Sequence, residues 1–150
     1  MDTAMPLLEP LRLRMLASFI GWADRHRPPE TTHLATGRRG ELAAFFYLRQ
    51  QGYVVISRGW KSSRLRGDID LIGFDGDTIC FIEVKTRTTR DVATAEAAVD
   101  ENKRRILCRL ARAYLRQLPN QTMPTRFDIL SIYFEKETTF ELFRNAFDWL

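Results

Sequence analysis

The chain has 150 residues, 45% of them apolar and 28% charged, and its net charge of +4 accompanies a pI near 9.4. These values are typical of one soluble globular domain with a core of its own, and the basic balance favours an acidic partner. The sequence has no apolar run near the ~20 residues of a membrane span, which excludes such a span, and it has no signal-peptide pattern. Its two cysteines are too few for a disulfide scaffold. We therefore expect a cytoplasmic protein.

The first 35 residues are predicted to be an N-terminal helical extension and linker, set apart from a domain over residues 36–150. Apolar residues recur at helical spacing over residues 7–25, at Leu8, Leu11, Met15, Phe19 and Trp22. Such a helix could pack on its own domain, pair with another chain or lie on a membrane surface. Residues 27–33 are rich in proline and threonine, which is typical of a linker. His26 and His33 are therefore expected to be solvated loop residues and not metal ligands.

A second helix is predicted over residues 38–51, since Gly52 follows it and glycine commonly ends a helix. Its apolar stripe contains Ala44, Phe45 and Leu48, and Glu41 lies on the same side. An acid at this position has two interpretations. It either interacts favourably with the helix dipole in the first turn, or it is a third carboxylate beside a metal ion.

The rest of the chain predicts five strands and a long helix, which gives the order αβββαββ when the preceding helix is included. The strands are expected at residues 53–58, 68–74, 77–85, 126–134 and 138–143, and the helix from about Thr94 or Asp100 to Leu118. Asp100 is the candidate N-cap of that helix. The order predicts an α/β fold, a mixed β-sheet flanked by helices.

The predicted hairpin around Asp75-Gly76 carries carboxylates where a buried sheet would have apolar residues. A two-residue turn at Asp75-Gly76 predicts Asp70 opposite Phe81 and diagonal to Glu83, about 7–8 Å away at the backbone. Since side chains alternate between faces, Asp70, Glu83 and Lys85 share one face. The opposite face is expected to pack under helices with Ile69, Leu71, Cys80, Ile82 and Val84.

This acidic pair predicts a site for a hard divalent cation, Mg²⁺ or Mn²⁺, which one or two carboxylates can hold. A metal that activates water and polarises a phosphate, with Lys85 nearby to orient the water or stabilise charge, is suited to phosphodiester cleavage. The sequence has no P-loop and no Gly-x-Ser-x-Gly elbow, and two histidines are too few for a histidine-ligated zinc hydrolase. The rival interpretation is a solvated ladder of salt bridges, in which Asp68 and Arg66 pair with Lys85 and its neighbours.

Basic residues border the acidic pair: Arg58, Lys61, Arg64 and Arg66 precede the second strand, and Lys85, Arg87 and Arg90 follow the third. They predict a phosphate-facing rim for a nucleic acid, with solubilising loops as the alternative. Lys103 lies on the apolar stripe of the long helix and either points toward the sheet or snorkels at a solvated edge. The candidate nucleic-acid-binding residues are Lys61, Arg64, Arg66, Arg87 and Lys103. Asp128, an acid within an apolar strand, is expected to pair with Arg126 or with the long helix.

The pattern Asp70…Glu83-Val84-Lys85 resembles the PD-(D/E)xK nuclease superfamily, whose fold is restriction-endonuclease-like and which includes archaeal Holliday-junction resolvases. More closely, a set of short segments over about residues 37–133 is similar to the uncharacterised bacterial YraN-type proteins. These segments are Gly37-Arg38-Arg39-Gly40-Glu41 with Ala44, Gly52-Tyr53, Gly67-Asp68-Ile69-Asp70-Leu71-Ile72, Phe81-Ile82-Glu83-Val84-Lys85-Thr86-Arg87, Lys103 and Arg126-Phe127-Asp128. Ile69 replaces the proline of the superfamily name, and Asp68 stands where the closer family usually has glutamate.

The resemblance implies that Asp70 and Glu83 are metal ligands, that Lys85 is the catalytic lysine and that Glu41 adds a helix carboxylate to the catalytic and metal site. It implies a Mg²⁺-dependent endonuclease that acts on DNA. A structure-specific activity is favoured, because a chain of this size leaves little room for a recognition domain, and a resolvase-like role requires a homodimer. The alternative is a nucleic-acid-binding module without turnover. A third interpretation is an interaction protein that docks on a partner through its N-terminal helix.

Overall fold

A computed structural model of the protein describes residues 32–87, 99–120 and 122–150. Its elements in chain order are helix α1 (Thr32–Gln50), strands β1 (Val54–Trp60), β2 (Ile69–Asp75) and β3 (Thr78–Arg87), helix α2 (Glu101–Leu115), and strands β4 (Thr125–Phe134) and β5 (Thr138–Phe147). The predicted order αβββαββ is confirmed, and Thr36–Leu150 form one compact unit. The predicted helix over residues 7–25 lies outside the described residues.

The five strands form one mixed sheet in the order β1-β2-β3-β4-β5. The first three strands are antiparallel neighbours, β3 and β4 are parallel, and β4 and β5 are antiparallel again. A parallel pair cannot be joined by a tight turn, and the chain between β3 and β4 carries α2. The fold is therefore the predicted mixed α/β arrangement. Among the described residues, no helix is long and apolar enough to cross a membrane.

Each face of the sheet has a buried cluster under one helix. On the α1 face, Ala44 and Leu48 pack with Leu71, Cys80, Ile82, Leu130 and Ile132. On the α2 face, Leu107 and Leu110 pack with Ile72, Ile79, Phe81, Phe127 and Ile129. Of the five residues predicted to share one face under helices, Leu71, Cys80, Ile82 and Val84 lie together in the α1 cluster. The shared face is wrong for Ile69, which is buried in the α2 cluster. Ile69 is the first residue of β2 and pairs with Trp60, which packs against the same cluster.

Helix α1 begins earlier than predicted, so Thr32 and His33 are helical and not part of a linker. The helix contains no proline, and its two glycines, Gly37 and Gly40, weaken the helix without ending it. The predicted stop at Gly52 is confirmed by two hydrogen bonds of a Schellman motif: Gly52 N donates to Arg49 O and Tyr53 N donates to Leu48 O.

Helix α2 starts at the later of its two predicted positions. Asp100 is the N-cap, and its carboxylate accepts a hydrogen bond of 2.9 Å from the backbone N–H of Lys103. The helix ends at Leu115, three residues before the predicted end. Strand β5 continues to Phe147, four residues past its predicted end, because it resumes pairing with β4 beyond a bulge that contains Asn145 with φ of 50°.

The turn of the β2–β3 hairpin lies one residue later than predicted. Asp75 pairs with Thr78, so the two turn residues are Gly76 and Asp77 and not Asp75 and Gly76. The first turn position needs a positive φ, and Gly76 supplies it with φ of 61° at no steric cost. The predicted register is therefore wrong, because the predicted turn lies one residue too early along the chain. The strands themselves lie where the pattern predicts them.

Candidate metal centre

The corrected register brings the two predicted carboxylates closer than the sequence suggested. Leu71 pairs with Ile82, and one step further along the same register Asp70 lies directly across from Glu83. Asp70 Oδ2 accepts a hydrogen bond of 2.7 Å from the backbone N–H of Val84, the residue that follows Glu83. The aspartate of β2 is thus tied to the strand that carries the glutamate, and the two carboxylates face the same side of the sheet.

Glu83 is buried, with only 4% of its side chain exposed, and two lysines contact its two carboxylate oxygens. Lys85 Nζ donates a hydrogen bond of 2.9 Å to Oε1 from the same strand. Lys103 Nζ reaches across from the first turn of α2 and lies 3.1 Å from Oε2. Of the two interpretations of Lys103, the one in which it points toward the sheet is confirmed, because it contacts β3.

Oxygen Oε2 of Glu83 stands out because it is buried and accepts no hydrogen bond from any residue within the described segments. Lys103 is near enough for an ion pair with Oε2 but does not have hydrogen-bond geometry. Buried carboxylate oxygens are normally hydrogen-bonded, so an exception needs an explanation. Oε2 can therefore accept a further partner, and a hard cation is a suitable one.

The electrostatics of Asp70 indicate a crowded acidic pair. Burial first, and then repulsion by Glu83, raise the pKa of Asp70 from 3.8 to about 7, although the hydrogen bond from Val84 opposes the rise. Burial lowers the pKa of Lys103, but attraction by Glu83 and Asp70 outweighs it and the net pKa is raised. A carboxyl group whose ionisation is opposed by burial and by a neighbouring acid, as that of Asp70 is, lies in an electrostatic setting that a divalent cation relieves.

The donor set fits Mg²⁺ or Mn²⁺, since both carboxylates are hard oxygen donors and one or two carboxylates can hold such a cation. The predicted third carboxylate, Glu41, is half-buried on α1. It repels the Asp70 charge only weakly, and within the described segments no three acidic, histidine or cysteine side chains gather at one point. The site that the structure brings together is therefore the pair Asp70 and Glu83, with Lys85 and Lys103 beside it.

Gly40 explains how Glu41 comes to lie near the end of β3. A Cβ atom at Gly40 would lie 2.0 Å from Cγ2 of Thr86, so only a glycine allows α1 to approach β3 this closely. Glu41 and Lys85, the chain neighbours of these two residues, are thereby held at the same end of the sheet.

The predicted basic rim is largely solvent-exposed. Arg58, Lys61, Arg64 and Arg66 are exposed on β1 and in the segment before β2, and Arg87 is half-buried at the end of β3. Arg90 lies outside the described residues. Lys85 ion-pairs with Glu83 on its own strand, an arrangement different from the predicted rival ladder in which Lys85 pairs with Asp68 and Arg66.

A second polar cluster, around Asp128, lies on the α1 face of the sheet. Asp128 is fully buried, and Arg126 Nε donates to its Oδ1 at 2.9 Å, which confirms the predicted pairing with Arg126. The hydroxyl of Tyr53 donates to Oδ2 at 3.0 Å, and the backbone N–H of Asn145 donates to Oδ1 at 2.9 Å. Arg126 also donates to Asp75 at 2.6 Å.

These further partners of Asp128 were not predicted, because they come from positions as far as 75 residues away along the chain. Burial, followed by the charge of Asp128, raises the pKa of Tyr53 to about 12. The Arg126 hydrogen bond lowers the pKa of Asp75. Each charged group in this cluster has an opposite partner, so the cluster accounts for its own buried charges.

Comparison with known proteins gives one consistent family. The family model described as "Uncharacterised protein family UPF0102" matches residues 40–132. A UPF0102 protein of Koribacter versatilis is 54% identical over 109 residues, which cover 73% of this chain and 76% of the relative. A UPF0102 protein of Solibacter usitatus is 40% identical over 82% of this chain and 90% of its own length, and one of Chlorobium limicola is 42% identical over 64% and 73%. The family match includes both carboxylates of the pair and both lysines.

Proposed function

The chain belongs to the UPF0102 family, the YraN-type proteins, and on that premise we propose that it is a metal-dependent nuclease that hydrolyses DNA phosphodiester bonds. The proposal includes membership of the PD-(D/E)xK superfamily with its restriction-endonuclease-like fold. It is supported by a mixed sheet with a helix on each face and an acidic pair on its antiparallel hairpin. Fold alone does not assign function, so the proposal depends on the site.

The observation that carries the proposal is the placement of Asp70, Glu83 and Lys85 on one face of two adjacent strands. Asp70 is tied to β3 by the Val84 hydrogen bond, and Lys85 Nζ lies 2.9 Å from Glu83. Burying two carboxylates side by side costs stability unless a charge or a ligand compensates it. A site for a divalent cation with a lysine beside it explains why this cost is present in the sheet.

Asp70 and Glu83 would hold Mg²⁺ or Mn²⁺, which when bound acidifies a water and polarises the scissile phosphate. Glu83 is fixed by burial and Asp70 by its backbone hydrogen bond, so neither carboxylate has to reorganise during the reaction. The ammonium of Lys85 is 29% exposed and can turn from Glu83 to orient the attacking water or to stabilise the developing negative charge. Arg64 and Arg66 are exposed and attract the phosphate backbone.

The substrate that we propose is DNA of a particular structure. A resolvase-like reaction would need a symmetric homodimer, because two cuts must be placed together. Both cysteines are free and buried, which supports the cytoplasm as the place of action.

A second candidate function is nucleic-acid binding without cleavage. The observation in its favour is that both oxygens of Glu83 already have a lysine within ion-pair distance. Two ammonium groups could neutralise the acidic pair permanently and leave no role for a metal. The two functions differ in their response to chelators, since binding by the basic rim alone does not require a divalent cation.

The test is cleavage of labelled linear duplex, single-stranded, flapped and four-way-junction DNA in Mg²⁺ or Mn²⁺, with the wild type beside Glu83→Ala. We expect cleavage of at least one substrate by the wild type and none by the variant or in EDTA. Intact substrates throughout, with DNA binding retained in EDTA and in Glu83→Ala, would establish the binding module instead.

A further inference from the structure

The position of Lys103 is set by the start of α2. Its backbone N–H is bonded to the N-cap Asp100 at 2.9 Å, so its Cα is fixed while its four-carbon side chain can change rotamer. The side chain lies between α2 and β3 and is 28% exposed. It therefore has a path from the acidic pair to solvent that does not require α2 to move.

The two oxygens of Glu83 are held by their lysines in different ways. Oε1 accepts a hydrogen bond from Lys85 at 2.9 Å. Oε2 lies 3.1 Å from Lys103 Nζ without a hydrogen bond. Lys103 thus acts on Oε2 as a point charge, and Oε2 is the oxygen that a hard cation can approach.

A divalent cation on Oε2 of Glu83 would have to approach the ammonium of Lys103, which lies 3.1 Å from that oxygen. Like charges a few ångströms apart repel strongly in a half-buried site, so the cation and this ammonium cannot share Oε2. Lys85 contacts the other oxygen, Oε1, at 2.9 Å. Lys103 is therefore the lysine that has to move when a cation binds at Oε2.

We infer that Lys103 is a built-in counter-ion that occupies the cation's place on Glu83 and is displaced when Mg²⁺ or Mn²⁺ binds. The displaced ammonium becomes available at the edge of the site, where a substrate phosphate would be its next partner. This inference rests on the proposed function for the position of the cation. It adds that Lys103 compensates the charge of Glu83 when no metal is bound, and that cation binding exposes a positive charge for the substrate.

The direct test is lysine labelling of the wild-type protein with an acetylating reagent, read by mass spectrometry with and without saturating Mg²⁺. We expect the labelling rate of Lys103 to rise several-fold with Mg²⁺, while that of the exposed Lys136, far along the chain on the β4–β5 loop, stays unchanged. In Glu83→Gln, Lys103 should label equally fast under both conditions. An unchanged or lower Lys103 rate in the wild type, with Mg²⁺ binding confirmed by calorimetry, would overturn the inference.

A second measurement uses variants of equal net charge. Lys103→Met should bind Mn²⁺ about three- to tenfold more tightly than Lys136→Met, as expected when a half-buried competitor is removed. Equal or weaker binding by Lys103→Met would contradict displacement. If the cation binds and Lys103 is released but no DNA is cleaved, only the proposed nuclease activity is refuted. If the cation binds and Lys103 is not released, only the counter-ion role of Lys103 is refuted. The absence of any cation binding would refute both.

Discussion

Asp70 on β2 accepts a 2.7 Å hydrogen bond from the backbone N–H of Val84, which lies between Glu83 and Lys85 on β3. The bond fixes the aspartate carboxylate beside the glutamate at the cost of bringing two acids together. That cost appears in the pKa of Asp70, which burial and then Glu83 raise to about 7. Around neutral pH, ionising Asp70 in the folded state therefore costs stability. Strongly shifted pKa values of this kind are common at functional sites.

The raised pKa of Asp70 predicts how stability depends on pH without metal. The folded state keeps a proton that the unfolded chain releases near pH 3.8, so the stability from this group is complete below pH 3.8 and is lost as pH rises through about 7. Asp70→Asn cannot ionise and can still accept the Val84 bond. In EDTA its melting temperature relative to wild type should rise between pH 4 and 8 by a few degrees. A difference that is constant with pH would contradict the raised pKa.

Gly40→Ala should destabilise the protein by about 1–2 kcal/mol, because the added methyl group overlaps Thr86 and pushes α1 away from β3. Thr86→Ser removes the overlapping Cγ2 and should restore most of the loss in the double variant. Gly37→Ala is the control, since nothing lies within 4 Å of that position and alanine should stabilise the helix by ~0.5–1 kcal/mol. Urea unfolding measures all four proteins, and equal effects at positions 37 and 40 would contradict the close approach.

The element order and the composition of the site were predictable from the sequence because both depend on local patterns. The apolar periodicities, the cap at Asp100 and the stop at Gly52 each involve residues within one or two turns of each other. The hairpin register was not predictable, because Asp75-Gly76 and Gly76-Asp77 are both acceptable turns and only the structure shows that Gly76 occupies the first position.

Contacts between distant elements are the part that the sequence could not give. Lys103 lies on an apolar helix stripe, and its spacing alone is compatible with either a solvated edge or the sheet. Its contact with Glu83 depends on how α2 crosses the sheet. The pairing of Asp128 with Arg126, two residues apart on one strand, was predictable, whereas its bond to Tyr53 was not.

Asp128→Asn should lower the free energy of unfolding by ~3 kcal/mol, because it removes one charge from a buried pair and leaves Arg126 only partly compensated. Asp77→Asn, in the exposed turn, should change it by less than ~0.5 kcal/mol. Denaturant unfolding gives both values. Similar small effects for the two variants would mean that the Asp128 cluster contributes little to stability.

Removing the exposed arginines before β2 should weaken nucleic-acid binding in a salt-dependent way. Arg64→Gln with Arg66→Gln should reduce the slope of log affinity against log salt by about 2, one for each phosphate contact. Lys136→Gln changes an exposed charge in the loop between β4 and β5 and should leave the slope unchanged. Fluorescence anisotropy with duplex DNA over a range of salt concentrations measures the slopes. Equal slopes for the double variant and the wild type would contradict phosphate binding by Arg64 and Arg66.

The most direct test of the proposed nuclease is single-turnover DNA cleavage in Mg²⁺ by wild type, Asp70→Asn and Asp77→Asn, at protein concentrations that bind all of the substrate. Asp70→Asn is expected to be at least as stable as wild type at neutral pH, so misfolding cannot explain a loss of activity. The proposal predicts that Asp70→Asn binds DNA but cleaves it at least about a hundredfold more slowly, while Asp77→Asn cleaves like the wild type. Equal cleavage by all three proteins, or cleavage by none of them, would contradict a hydrolytic centre at Asp70 and Glu83.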